Sequence, residues 1–215
     1  MYINPENQSP VFIIHNAILD EQKAKIIAKY KDKTVVGKHQ SASQSASKLV
    51  TNKTRRNSGV YFIKDDIGLN QHIFAMIKIA NHLIDYNYDL TGFELCQFTR
   101  YTKKQHYNYH VDSDAHSGRQ FAFKSPEKHP LAFTDDPNLI NTIRKMSCSV
   151  ILNDNYEGGE FCTKILRDGE LMEHTIPAVS GDMLVFPSFL NHCIKPVTKG
   201  VRYSLVQWAA GPAFK

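Results

Sequence analysis

Apolar residues recur along this chain with two periods, and the change falls near Gly92. Before Gly92 helical spacing dominates. Asp20 stands at an N-cap position, and Ala24, Ile27 and Tyr30 follow it at helical intervals. Ile73, Ile77, Ala80 and Ile84 form a stripe that predicts a helix from about Asn70, packed on a sheet. His72 and His82 on that helix are expected to be structural or exposed. Short strands are predicted at Val11 to Ile14 and at Ser58 to Ile63. After Gly92 the period drops to two. Phe93, Leu95, Gln97, Thr99 and Tyr101 alternate with Glu94, Cys96, Phe98 and Arg100, as on a strand. Lys103-Lys104-Gln105 makes a turn, and the strand after it carries His110 and Asp112. Further strands are predicted at Ser147 to Leu152, after the turn at Tyr156 to Phe161, at Met183 to Phe186 and at Arg202 to Trp208. Helices first and then many short strands predict an α+β protein with a jelly-roll core.

Two stretches depart from both periods. Residues 38–47 are low in complexity and lack large apolar groups, which predicts a mobile loop rather than a domain boundary. Residues 113–141 carry Gly118, Pro126, Pro130 and Pro137 together with Phe121, Phe123 and Phe133. A connection that long is usually functional or disordered. A substrate-covering loop and a packed loop are both open readings.

Composition narrows the class. With 215 residues, 42% hydrophobic and 22% charged, the chain fits one globular domain. A net charge of +5 reads as a solvated surface and is weak ground for a nucleic-acid partner. Cys96, Cys148, Cys162 and Cys193 have no C-x-x-C spacing and are expected as reduced thiols. No apolar run approaches the roughly 18 residues of a membrane span. The first residues lack a basic region followed by an apolar core, so a cytoplasmic protein with no membrane association is expected.

The candidate chemistry lies in the second half. His110 and Asp112 are two residues apart, so on a strand their side chains share a face. With His192 they make two imidazoles and one carboxylate, the facial triad of non-haem Fe(II) oxygenases, which leaves half an octahedron open. An H-x-D pair alone is common, and the distal His192 and following Arg202 add the weight. Arg202 shares a strand face with Ser204, Val206 and Trp208. Its planar fork suits a carboxylate. Facing a barrel interior unpaired it would be costly, and a bound dicarboxylate would remove that cost, with Ser204 adding a hydroxyl. His106 and His110 are four apart, as in a helical zinc pair, but no Glu completes H-E-x-x-H and the Tyr-x-Tyr surroundings predict a strand. His15, His39, His116, His129 and His174 are expected at the surface, and Cys193 as a packed thiol.

Several motifs now line up: Arg100-Tyr101, Tyr107-x-x-His110-x-Asp112, Tyr156-x-Gly158-Gly159-Glu160 and Gly181-Asp182-x-Leu184-x-Phe186-Pro187. His192 precedes Arg202 by ten residues, with Pro196-Val197 and Gly200 between, and Trp208 follows Arg202 by six. The run from about Asn57 to Trp208 resembles the prolyl 4-hydroxylase branch of the 2-oxoglutarate- and Fe(II)-dependent dioxygenases. The resemblance implies a double-stranded β-helix core with flanking helices. It implies one domain over residues 1–215, with support at about 1–91 and the catalytic jelly roll at about 92–215. It implies His110, Asp112 and His192 as iron ligands. Arg202 would bind the distal carboxylate of 2-oxoglutarate, where this branch often has Lys, with Tyr101 reaching the same carboxylate and Ser147 assisting. Tyr107 falls where the family has a residue near the substrate, although strict alternation would put it on the face opposite His110. Trp208 is a second substrate-side position. The implied reaction takes O2 and 2-oxoglutarate, releases succinate and CO2 and hydroxylates a C–H bond, with ascorbate as a reductant. Asp112 favours hydroxylation over halogenation, since related halogenases lack the carboxylate.

The expected substrate is a proline of a peptide or protein. Oxygenases of nucleic acid or of a small molecule form a second class, and nothing after Arg202 supplies the further Arg of nucleic-acid repair relatives. A jelly-roll binding module without turnover is a third, against which the intact ligands and Arg202 speak.

Overall fold

The structure is a computed structural model that describes residues 10–36, 39–40, 49–50, 54–113, 139, 142–167 and 169–213. The predicted loop at 38–47 (but for residues 39–40) and the connection at 113–141 (but for Ser113 and Leu139) therefore lie outside the described residues. In chain order the elements are β1 (Phe12–Ile14), α1 (Asp20–Tyr30), β2 (Val35–Val36), β3 (His39–Gln40), β4 (Leu49–Val50), β5 (Arg56–Asn57), β6 (Gly59–Phe62) and α2 (Ile67–Leu83). Then come β7 (Gly92–Phe93), β8 (Gln97–Tyr101), β9 (His106–His110), β10 (Thr142–Ile151), β11 (Tyr156–Gly158), β12 (Phe161–Arg167) and β13 (Glu170–Thr175). The last four are β14 (Met183–Pro187), β15 (His192–Ile194), β16 (Val197–Gly200) and β17 (Arg202–Pro212).

Two antiparallel sheets make the core; the chain passes between them at β8, β9 and β10 and again at β13, β14 and β15, while β3–β4 and β11–β16 pair separately. The larger has the order β1-β14-β10-β17-β8-β6-β2, with β7 also on β17, and the smaller has β13-β12-β15-β9-β5. This is the jelly roll that the period-two pattern predicts. The larger sheet is buried on both faces. Met183 and Val185 of β14 point to the helices, where they join Ile73, Ile77, Ala80 and Phe98. Leu184 and Phe186 point between the sheets, where they meet Phe161, Ile176 and Ile194. Ile73 and Ile77 are fully buried, each contributing about 2 kcal/mol relative to exposure.

The helices differ in detail from expectation. α2 starts at Ile67, because the Asp66 carboxylate accepts the Leu69 N–H at 2.9 Å and caps the first turn. In α1 the N-cap is Leu19, whose N–H donates to the Gln22 side chain at 3.0 Å, and Asp20 is the first helical residue. Its buried face is Lys23, Ile26 and Tyr30, while Ala24 is exposed. Lys23 is tolerated there because its ammonium reaches Asp20 and Ser180, each at 2.7 Å, with its stem lying over apolar surface. No helix of the described residues is long and apolar enough to cross a membrane. All four cysteines are free and buried.

Candidate active site

His110, Asp112 and His192 meet between the two sheets. His110 ends β9 and His192 opens β15, and the two are directly paired across that ladder. Asp112 lies two residues past His110, beyond the strand rather than within it as predicted. Its place is held by Ser188, whose carbonyl accepts the N–H of Asp112 at 2.8 Å and of Ser113 at 2.9 Å. The carboxylate stands 3.5 Å from His110 Nε2 and 3.6 Å from His192 Nε2. The three ligand atoms all lie within 4.8 Å of one another, and all three residues are buried.

Protonation follows from the surroundings. Nδ1 of His110 is 2.9 Å from the Asn108 carbonyl, and Nδ1 of His192 is 2.8 Å from the Leu190 carbonyl. A carbonyl only accepts, so each Nδ1 carries the proton and each Nε2 offers a lone pair toward Asp112. Burial, with His110 beside it, pushes His192 down to about 4, so it is neutral at ordinary pH. Burial alone would raise the Asp112 carboxyl. Wherever a proton sits on one of the facing imidazoles, its charge and hydrogen bond, together with the Arg144 charge, outweigh it and hold the group well below the usual carboxylate range. Two imidazoles and one carboxylate suit a divalent first-row ion, iron included.

Aromatic rings wall this cluster. The His110 and His192 rings are 4.2 Å apart, and Phe161 and Phe186 pack on His192 at 5.4 and 4.7 Å. Tyr107 stacks on His110 with ring centroids 3.6 Å apart, which corrects the expectation that it faces away. The cause is a β-bulge. His192 pairs with His110 and Ile194 with Tyr107, so between these pairs Asn108 and Tyr109 of β9 face the single Cys193 of β15, and the alternation is reset. Arg56 covers Tyr107 at 4.7 Å.

Arg202 is fully buried on β17. Its Nη1 donates to Ser204 Oγ at 3.0 Å, while Nε and Nη2 have no partner among the described residues. Tyr101 lies directly opposite on β8, with its ring 5.7 Å from the guanidinium carbon. Burial raises the Tyr101 hydroxyl against the pull of Arg56 and Arg202, so it stays a proton donor. Gly159, at φ +68°, makes room for this arginine. A Cβ there would stand 3.0 Å from both Arg202 Cδ and Val197 Cγ2. Orphaned N–H groups on a buried cation, facing a phenol, are what a carboxylate-bearing ligand would complete.

Ser147 is not beside Arg202. It pairs with Trp208, six positions along β17 or roughly 20 Å at strand rise, and its hydroxyl meets Ser188 Oγ at 2.9 Å. It therefore buttresses the loop that holds Asp112. Trp208 shares the inward face, and the Arg144 guanidinium lies 3.9 Å over its ring. Arg144 forks onto Glu94, with Nη2 at 2.6 Å from Oε2, and its Nη1 is 3.4 Å from the Asp112 carbonyl. Arg56, Glu94 and Arg144 escaped the sequence reading. His72 and His82 are exposed, as expected. The His15 side chain is 70% exposed and reaches Asp182 at 3.1 Å. His106 Nε2 is 3.1 Å from the Thr54 carbonyl. Cys193 is a packed thiol, pushed up to about 11 by burial.

A jelly roll holding two imidazoles, one carboxylate and a buried arginine with two nitrogens unpartnered among the described residues has the donor set of a non-haem iron protein that uses an acidic co-substrate. A family model described as the 2OG-Fe(II) oxygenase superfamily matches residues 96–210, and the chain belongs to that superfamily. Among curated relatives, the PKHD-type hydroxylase YbiX of Shigella sonnei (strain Ss046) is 27% identical over 111 residues, 52% of this chain and 40% of that protein. The PKHD-type hydroxylase Xfasm12_1709 of Xylella fastidiosa (strain M12) is 32% identical over 114 residues, 52% of this chain and 42% of that protein. The match thus spans under half the length of these relatives. Among solved structures, a Pseudomonas putida prolyl-4-hydroxylase superposes with TM-score 0.62 at 19% identity, covering 95% of this chain and 94% of that one. A Trichoplax adhaerens prolyl hydroxylase, in complex with a hypoxia inducible factor oxygen degradation domain peptide fragment, gives 0.63 at 18% identity, covering 94% and 84%. These likenesses establish the fold.

Proposed function

We propose that this chain is an Fe(II)- and 2-oxoglutarate-dependent hydroxylase of the prolyl-hydroxylase type that acts on a peptide or protein. The observation that carries it is the pairing, inside one barrel, of a buried His-Asp-His cluster with an arginine whose Nε and Nη2 have no partner among the described residues. In this reading residues 1–215 work as one domain, with α1 and α2 bracing the larger sheet. The free thiols are in keeping with a reducing, cytoplasmic setting.

His110 and His192 would hold Fe(II) through Nε2, and Asp112 through its carboxylate. Held there with 2-oxoglutarate and O2, the metal would supply the oxidising power for turning a C–H into a C–OH with release of succinate and CO2. The protein's part is placement. Arg202 and Tyr101 hold the distal carboxylate of 2-oxoglutarate by charge and by a phenol O–H, with Ser204 steadying the guanidinium. Phe161 and Phe186 exclude water behind His192. Tyr107 keeps the His110 ring in position and, with Trp208, borders the space for substrate. The two prolyl hydroxylase neighbours, one of them holding a peptide, support a proline-containing peptide as the class.

The test is succinate release by protein loaded with Fe(II), with ascorbate as reductant, given a pool of proline-containing peptides. The reading expects peptide-stimulated succinate and products heavier by one oxygen. Stimulation by oligonucleotides or small metabolites, and not by peptides, would overturn the peptide assignment. No turnover with any of them, despite bound metal, would leave a binding module.

A further inference from the structure

Four directly paired positions cross the smaller sheet in one row: His110 on β9, His192 on β15, Thr163 on β12 and His174 on β13. Directly paired residues of an antiparallel ladder project to the same face. The inner face is fixed by Phe161 and Ile176, two residues from Thr163 and from His174, which both belong to the cluster between the sheets. The Lys164 N–H donates to the Asn191 carbonyl at 3.0 Å in the neighbouring pair. Alternation then makes Thr163 and His192 a non-hydrogen-bonded pair, the kind in which side chains come closest.

Thr163 is fully buried, and its hydroxyl has no hydrogen-bond partner among the described residues. A buried hydroxyl left without a partner is unfavourable until some group completes it. Arg202 lies on the larger sheet, while the row runs the other way, toward the edge strand β13. His174, expected at the surface, is half-buried there and turned inward with solvent access. A ligand that meets Thr163 from the His174 side enters from solvent and ends beside the metal position, as a primary substrate must.

We propose that Thr163 and His174 form a hydrogen-bonding subsite for the primary substrate, which holds a peptide carbonyl beside His192. The Thr163 O–H donates to that carbonyl, and the His174 imidazole takes the polar group of the adjoining peptide unit. Cβ atoms of paired residues are about 5 Å apart, a gap one peptide unit bridges. The proposal rests on the peptide reading above. Thr163 and His174 act here as specificity residues and hold neither metal nor co-substrate.

The experiment compares wild type with Thr163→Val, Thr163→Ser and His174→Ala. One readout is the Kd of Mn(II)-loaded protein for 2-oxoglutarate by calorimetry. The other is the apparent KM for a pool of N-acetylated pentapeptide amides with central proline, followed by succinate. Thr163→Val and His174→Ala are expected to raise the peptide KM about tenfold, the worth of one hydrogen bond, with the 2-oxoglutarate Kd unmoved. Thr163→Ser keeps the hydroxyl and retains the wild-type KM. A wild-type peptide KM in Thr163→Val overturns the subsite, as does an equal loss of 2-oxoglutarate binding. A wild type that no peptide stimulates fails the peptide reading itself, a result separable from these because it appears without any substitution.

Discussion

Arg202 lies directly opposite Tyr101 on the β8–β17 ladder, and its guanidinium carbon stands 5.7 Å from the centre of the phenol ring. Both are buried, and two of the guanidinium nitrogens have no partner among the described residues. A cation kept in that state is a cost to the ligand-free fold and a gain once an anion arrives. Arg202→Met should therefore leave the ligand-free melting temperature at or above wild type, while weakening 2-oxoglutarate binding about 100-fold. Thermal melts with and without 2-oxoglutarate, on Mn(II)-loaded protein, check both halves.

The Tyr107 ring on His110 gives a second expectation. Tyr107→Leu removes the flat surface that fixes the imidazole and should weaken Mn(II) binding about tenfold, the lower end of what lost ligand orientation costs. Tyr107→Phe keeps the stack and should bind as wild type does. Calorimetric titration with Mn(II) distinguishes them.

Asn70 ties helix to sheet. Its side-chain amide donates to the carbonyls of Ile63 and Asp66 at 3.0 and 2.7 Å, its Oδ1 accepts the Cys96 N–H at 2.5 Å, and its backbone carbonyl accepts from Gln207 at 3.1 Å. Asn70→Ala leaves buried backbone groups unpaired and should cost about 3 kcal/mol of stability, read as a lower urea midpoint. Metal affinity per folded molecule should be unchanged.

The pH dependence of the metal-free protein follows from His192. Its pKa falls from 6.5 in the unfolded chain to about 4 when folded, so between these values the unfolded state binds the extra proton. Stability is thus full above about pH 6.5 and declines as pH falls toward 4. Asp112, also lowered, adds to the loss below its unfolded value. The His192 part amounts to about 3 kcal/mol. Urea unfolding at pH 7 and pH 4.5 should show the decline, and His192→Gln should flatten it.

The separation between what was and was not legible in the chain has physical causes. His110, Asp112, His192 and Arg202 stand out because strand alternation and fixed spacing bring them together, and the two sheets do unite them. Tyr107 was ambiguous because the bulge on β9 adds a residue that no local pattern announces. Ser147 was misplaced because register between β10 and β17 depends on a pairing formed across more than fifty residues of chain. Glu94, Arg144 and Trp208 meet through the same long-range pairing, so their stack has no trace in any one segment. The start of α2 moved because one carboxylate, Asp66, decides it.

In the proposed function His110, Asp112 and His192 hold one Fe(II), and 2-oxoglutarate anchored by Arg202 then binds there. Anaerobic titration of the protein with Fe(II), with and without 2-oxoglutarate, tests it most directly. The account predicts one Fe(II) per chain, 2-oxoglutarate binding only once the metal is present, and at least about 100-fold weaker Fe(II) binding in Asp112→Ala and His192→Ala. Stoichiometric Fe(II) binding that survives both substitutions, or 2-oxoglutarate binding of equal strength without metal, would contradict it.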